Sequence, residues 1–220
     1  MNEASKSERT QARIVEAAMA LFRERGYDGT TMRAVAEAAG VSVGNAYYYF
    51  ASKEHLVQGY YEHLAREHRA VALPAMDGLT DLGERLRASL LAWLEVAAPF
   101  HEFSCPFFAV AARPDSPLSP FSAESKPARD AAIAIQREVL AGSTVKVDAT
   151  LGPLLPELMW LYQLGIVLYW VHDRSPGAVK TVELVERSAP MIGFLARAAR
   201  WPGMRPFVRQ VVDLVHALRA

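Results

Sequence analysis

The sequence predicts an all-helical chain, and three observations carry that prediction. A stretch from residue 30 to residue 50 reads as two short helices joined by a glycine turn. Apolar residues recur three and four apart through the segments bounded by Gly and Pro, which is the period of an amphipathic helix. The one run with a strand-like look, Val145, Lys146 and Val147, is only three residues long and reads as a linker between helices. With 220 residues and 51% hydrophobic content, the chain is long enough to bury one or two cores, and its composition is neither disordered nor collagen-like.

The first predicted helix covers residues 7–25, after a polar tail. Ile14, Ala17, Ala18, Leu21 and Phe22 form its apolar stripe, and Gly26 stops it. Tyr27 is placed beneath the following turn, while Arg13, Arg23 and Arg25 are solvated or paired with Glu16 and Glu24. Thr30 or Thr31 caps the second helix, because a hydroxyl accepts a hydrogen bond from a free first-turn N–H. Met32, Val35, Ala36 and Ala39 then share one side, and Gly40 supplies the left-handed residue that ends the helix. Val41 plugs the angle between the helices and Ser42 caps the third. That third helix is too short to stand alone, so packing of Ala46, Tyr49 and Phe50 must hold it. Its opposite side carries Val43, Gly44, Asn45, Tyr47 and Tyr48, a small, uncharged and aromatic surface. A helix-turn-helix places such groups in a major groove, where Asn pairs with a base edge, Val meets a thymine methyl and Tyr hydroxyls reach phosphates. Taken alone, the same residues also fit an ordinary antiparallel helix pair.

The neighbouring residues add a resemblance. Ile14, Ala17, Ala18, Leu21 and Phe22, then Gly26-Tyr27, Thr30-Thr31, Val35-Ala36, Ala39 to Ser42, Gly44, Tyr47 to Phe50, Ser52-Lys53-Glu54 and Leu56 stand at fixed spacings. Over residues 9 to about 60 the chain resembles the DNA-binding domain of the TetR family of bacterial transcriptional regulators. The resemblance implies an N-terminal three-helix helix-turn-helix domain, residues 1–57, joined to a larger helical ligand-binding and dimerisation domain, residues 58–220. It further implies a sequence-specific homodimeric regulator, most simply a repressor, that a small and mostly apolar effector releases from a near-palindromic operator in double-stranded DNA. The expected DNA-contacting residues are Thr31, Arg33, Ser42, Val43, Gly44, Asn45, Tyr47, Tyr48 and Lys53, with Lys53 on a phosphate by analogy to the family.

Beyond the third helix, Ala51-Ser52 reads as a cap and Lys53 opens a fourth helix toward Arg69 that links the two domains, so that a shift of its far end moves the reading head. Pro74 and Gly78 mark a boundary. Leu82, Leu86, Leu90, Leu91, Trp93 and Leu94 give a helix over 79–100. Residues 100–108 are dense in aromatics and interrupted by Pro106; such a run fills a core or, beside a helix break, lines a ligand cavity. Residues 113–120 hold Pro114, Pro117 and Pro120 and read as a loop, and a helix from Ser122 or Pro127 ends at Gly142. Residues 154–171 form the most apolar stretch, near the length of a membrane span. Pro156, Glu157 and Gln163 argue against a span, so this helix needs the core on one face and a second subunit on the other, with Gly165 permitting close approach. Pro176 starts the next helix, Pro190 bends it, and residues 201–203 end it. A last amphipathic helix carries Phe207, Val211, Leu214, Val215 and Leu218. By resemblance, helices near 155–172 and 178–198 form a four-helix bundle between two chains.

Charge tests this reading. The chain carries 24 Lys and Arg against 24 Asp and Glu. Residues 1–57 hold seven of each sign, at 6, 9, 13, 23, 25, 33 and 53 against 3, 8, 16, 24, 28, 37 and 54. Phosphate binding must then come from a local arrangement of Lys6, Arg9, Arg33 and Lys53 with helix N-termini, and a modest salt slope follows. The one cysteine, Cys105, excludes an intramolecular disulfide and suits a reducing compartment; with no leader-like start, a cytoplasmic location is expected and no membrane partner. Cys105 itself is a redox sensor or a small buried hydrophobe.

Other chemistries find little support. The six histidines are scattered, His63 and His68 are five apart, and there is no CxxC, so no metal site is expected. Without a Gly-x-Ser-x-Gly elbow, P-loop or dinucleotide fingerprint, neither an enzyme nor a cofactor is expected. The aromatic surplus points to an effector pocket built from Trp93, Phe100, Phe103, Phe107, Phe108, Met159 and Tyr169, with His101, Tyr162 and Gln163 as polar anchors. Two rival readings remain open: a dimeric sensor or scaffold for a protein partner, favoured by the neutral N-terminal segment, and an enzyme with a vestigial helix-turn-helix.

Overall fold

A computed structural model of the chain describes residues 6–219. Among these residues there are ten α-helices and no strand. The all-α class read from the sequence is the observed one; the polar tail, residues 1–5, lies outside the described residues. The helices are α1 (Lys6–Gly29), α2 (Met32–Ala38), α3 (Val43–Tyr49), α4 (Lys53–Ala75), α5 (Leu82–Ala97), α6 (His101–Ala111), α7 (Lys126–Ala141), α8 (Leu155–His172), α9 (Val179–Ala198) and α10 (Arg205–Arg219). The chain divides into two compact units, Met1–Arg66 with Pro99–Arg129, and Glu67–Ala98 with Asp130–Ala220.

The first unit is built around the stripe of α1. Ile14, Ala18, Leu21 and Phe22 are buried together with Met32, Val35 and Ala36 of α2 and Ala46 of α3. Regular geometry in α1 breaks at Gly26, whose φ of 75° places it in the left-handed region, so the helix proper ends where the glycine predicts. Thr30 donates its hydroxyl to the Gly26 carbonyl at 2.8 Å, leaving Thr31 as the cap of α2. α6 belongs to this unit, because Phe107 and Ala111 bury in the same core as α1. The helix break expected at Pro106 is absent, since α6 runs unbroken from His101 to Ala111. A proline forfeits one amide donor, and burial of the flanking apolar side chains outweighs that loss.

The second unit turns on the packing of α5 against α9. A Cβ added at Gly193 would stand 2.6 Å from the Gly83 nitrogen, and one at Gly83 would stand 2.8 Å from the Pro190 Cα. The two backbones therefore touch where both side chains are missing. Arg85, one turn into α5, donates to four carbonyls: Met76 and Leu79 beyond α4, Glu138 and Val139 near the end of α7, at 2.8–3.0 Å. It adds a charged donor to carbonyls at and beyond these helix ends, of which Met76 and Glu138 also accept a backbone amide. Asp173 does the converse at the start of α9, accepting from the amide and hydroxyl of both Ser175 and Thr181. Burial alone would raise its pKa; these hydrogen bonds hold the carboxyl well below the usual carboxylate range. α9 passes through Pro190 without interruption.

α8 is apolar nearly all round, as its composition requires. Met159, Trp160, Ile166 and Trp170 are buried, whereas Leu161, Leu168 and Tyr169 are exposed. A Cβ at Gly165 would meet nothing within 4 Å. Among the described residues, no helix is long and apolar enough to cross a membrane.

Candidate functional site

The helix-turn-helix is assembled from local signals that can be followed bond by bond. The Thr31 hydroxyl accepts the Ala34 amide at 3.2 Å, and the Ser42 hydroxyl accepts the Asn45 amide at 3.1 Å. Between them Gly40, at φ 64°, turns the chain, and the Val41 amide returns to the Ala36 carbonyl at 3.0 Å. With Ala46 and Phe50 turned inward, α3 must present its other side to solvent. That side is Val43, Gly44, Asn45, Tyr47 and Tyr48, all exposed, with Tyr48 at 81%. Tyr48 stands edge-on to Tyr49 at 5.2 Å, and Ser7 donates to the Tyr49 hydroxyl at 3.3 Å, which ties α1 to the back of α3.

Thr31, Arg33 and Ser42 are exposed as well. Lys6, Arg9 and Arg33 form no hydrogen bond or ion pair through their side chains among the described residues, so their charges are available to phosphates. Lys53 is placed differently. Its ammonium donates to the Tyr27 carbonyl at 2.8 Å and lies 4.4 Å from the centre of the Tyr27 ring. The Tyr27 hydroxyl in turn donates to Glu54 at 2.7 Å. Burial and then the bonded Glu54 push the Tyr27 pKa up; Glu54 is lowered first by its bond from Ser52, against burial, and then by Tyr27. Lys53, Tyr27 and Glu54 thus lock the turn after α1 to the start of α4, and an ammonium keeps two further donors for a phosphate. The Gly-Tyr and Lys-Glu pairs stood in the sequence; that they meet was not legible there.

The expected effector residues divide between the two units. Phe100 and Phe107 fill the core of the first unit: Phe100 lies 4.8 Å from Tyr60 with the Arg23 guanidinium over its ring, and Phe107 meets Phe22 and Tyr27. His101 and Phe108 are half-buried, and the side chain of Phe103 lies outside the described residues. In the second unit Trp93 is buried edge-on to Trp170 at 5.3 Å, and Tyr169 is exposed. Gln163 is buried and accepts from Gln136 at 2.9 Å, while the Gln136 carbonyl oxygen has no partner. Gln136, a polar residue between Ile135 and Val139 on α7, escaped the sequence reading. Met159 and Tyr162 do come together, lining an apolar groove of about 210 Å³ with Leu155, Leu158, Ile192 and Phe207. His68, also missed, is buried and bonded to the Ser89 carbonyl at 2.8 Å; burial lowers its pKa to about 4. No group of three or more His, Cys, Asp or Glu able to hold a metal occurs among the described residues.

Comparisons with known proteins agree with this geometry. Residues 14–60 match the family model of the bacterial regulatory proteins of the tetR family, and residues 85–218 match that of the tetracyclin repressor-like C-terminal domain. The chain is 34% identical over 92 residues to the transcriptional repressor KstR2 of Mycobacterium tuberculosis, covering 40% of this chain and 44% of that protein. It is 38% identical over 79 residues to the regulator TtgR of Pseudomonas putida, covering 35% and 38%. The matches thus span less than half the length of these curated relatives. Among solved structures, FadR of Thermus thermophilus, a TetR family repressor in complex with lauroyl-CoA, superposes with a TM-score of 0.60 at 26% identity, over 87% of this chain and 98% of that one. A TetR regulator of Nitrosomonas europaea shares the fold, with a TM-score of 0.63 at 16% identity over 84% and 98%. The C-terminal model alone spans residues 85–218, more than half of the chain, and with the N-terminal match it shows that this protein belongs to the TetR family of bacterial transcriptional regulators.

Proposed function

We propose that the protein is a cytoplasmic, homodimeric repressor that reads a near-palindromic operator and is released from it by a small, mostly apolar effector. The observation that carries the reading is the outward face of α3, where Asn45, Val43 and the hydroxyls of Tyr47 and Tyr48 stand free on a helix whose other side is fixed in the core. Two such helices, one per protomer, would enter successive major grooves about one helical turn apart. Support for a dimer lies in the exposed apolar residues of α8 and α9: Leu161, Leu168, Tyr169, Met191, Phe194 and Leu195. Monomers seldom leave such a set in water, and a second copy would cover it.

Support for an apolar effector lies in the groove that Met159 and Tyr162 line, whose walls are almost wholly hydrocarbon. It is also consistent with the acyl chains, though not the anionic coenzyme A portions, of the lauroyl-CoA bound to FadR of Thermus thermophilus and the stearoyl-CoA bound to FadR of Bacillus subtilis. α4 continues without a break from Lys53, beside the reading helix in sequence, to Ala75, so a displacement of its far end is passed toward the DNA-binding residues. The effector must favour the non-binding arrangement, because a ligand with equal affinity for both shifts nothing. A mobility-shift titration with the DNA upstream of the protein's own coding sequence tests the reading. A specific complex that weakens modestly with salt is expected; absence of any sequence preference would leave a protein-binding scaffold as the better account.

A further inference from the structure

At one end of the second unit, three chain segments meet around a cleft of about 380 Å³ that the effector reading leaves unused. Its walls are the turn before α5, with Thr80 and Asp81, the linker after α7, with Thr144 and Lys146, and the end of α9, with Arg197, Arg200 and Trp201. The walls are tied to one another. Thr144 donates its amide to the Thr80 carbonyl at 2.9 Å and its hydroxyl to the same oxygen at 3.3 Å, and Arg197 pairs with Asp81. The opening is therefore formed in advance of any occupant.

Charge inside the cleft is unbalanced. Asp81 is its one carboxylate, and both of its oxygens are used, one on the Glu84 amide that caps α5 and the other on Arg197. The side chains of Lys146 and Arg200 form no hydrogen bond or ion pair among the described residues. Like charges gathered in one concavity repel, and an anion relieves that repulsion. Beside them the Trp201 indole is 56% exposed and perpendicular to the Phe194 ring at 5.9 Å, so aromatic surface stands open on the same cleft as the two cations.

We propose that this cleft binds a phosphate-bearing mononucleotide, the phosphate on Lys146 and Arg200 and the base stacked on Trp201. Two unpaired cations match a phosphate dianion better than a single carboxylate, and the volume suits a ring, a sugar and a phosphate together. The unpartnered Thr80 hydroxyl stands on the same wall for a ribose oxygen. Nothing in this assignment depends on the apolar effector or on DNA binding.

Isothermal titration of the full-length protein with adenosine 5′-monophosphate, adenosine and inorganic phosphate at low salt tests it. Adenosine monophosphate is expected to bind at least about tenfold tighter than either fragment, since only it engages both the cations and the indole. Arg200→Gln and Trp201→Ala should each weaken it about tenfold, and Lys146→Gln, at an exposed position, should weaken it in the same direction. Far-UV circular dichroism and the thermal midpoint check that each variant stays folded. Binding of adenosine monophosphate no tighter than that of phosphate, or binding unchanged by Arg200→Gln and Trp201→Ala, would overturn the assignment.

Discussion

The turn between α2 and α3 in the first unit and the contact of α5 with α9 in the second are set by different kinds of bond. In the first, the reading head is set by contacts that span three to five residues: Thr31 to Ala34, Ser42 to Asn45, and Ala36 to Val41 around Gly40. In the second, the decisive contacts join residues far apart in sequence: Gly83 with Gly193, and Arg85 with Glu138 and Val139. The difference teaches where each unit is vulnerable. A locally specified helix pair tolerates change over its outer face, which leaves that face free to be shaped by what it binds. A unit fixed by a few long-range contacts is weakened more by the loss of any one of them.

The largest effect is expected at the closest of those contacts. Gly193→Val drives a branched side chain into the Gly83 backbone and should cost more than about 3 kcal/mol in urea unfolding, or abolish folding. A cost below about 1 kcal/mol would mean that α5 and α9 can part freely. Acid comes next. His68 is neutral and buried with a pKa of about 4, below the ordinary value near 6.5, so as pH falls the unfolded chain takes up the proton first. Stability is therefore lost from about pH 6.5 down to about pH 4, by on the order of 3 kcal/mol. His68→Asn should flatten that part of the pH profile, which chemical unfolding at stepped pH would show.

Arg85→Ala removes a donor from four carbonyls at once, of which Met76 and Glu138 keep a backbone amide, and should cost about 2 kcal/mol, with the loss of protection in hydrogen exchange concentrated near the ends of α4 and α7. In the first unit, by contrast, Ser42→Ala removes a single cap and should cost about 1 kcal/mol. Were the cap to matter more than the arginine clamp, the contrast between locally and remotely fixed units would be reversed.

The same contrast explains what the residues alone disclose. Caps, Gly26 and Gly40 act within a turn of themselves, so the reading head and its outward face could be placed from the sequence alone. Helix positions in the second unit were equally legible, because Pro176 and the apolar period act locally too. Which helices meet was not. Gly83 and Gly193 are unremarkable in their own neighbourhoods, and nothing near Gln136 or His68 announces a buried polar group. Phe100 and Phe107 are apolar enough for any core, and only the fold assigns them to that of α1. Lys53 carried a phosphate role by resemblance, and its bond to Tyr27 adds a structural one.

The central claim is that the free face of α3 reads bases. It is tested most directly by comparing the affinities of the parent protein and Asn45→Ala for a selected operator and for scrambled DNA at one fixed salt concentration. The operator preference is expected to fall by about 1–3 kcal/mol, while affinity for scrambled DNA holds and stability changes by less than about 0.5 kcal/mol. An operator preference that survives the substitution at full strength would contradict it.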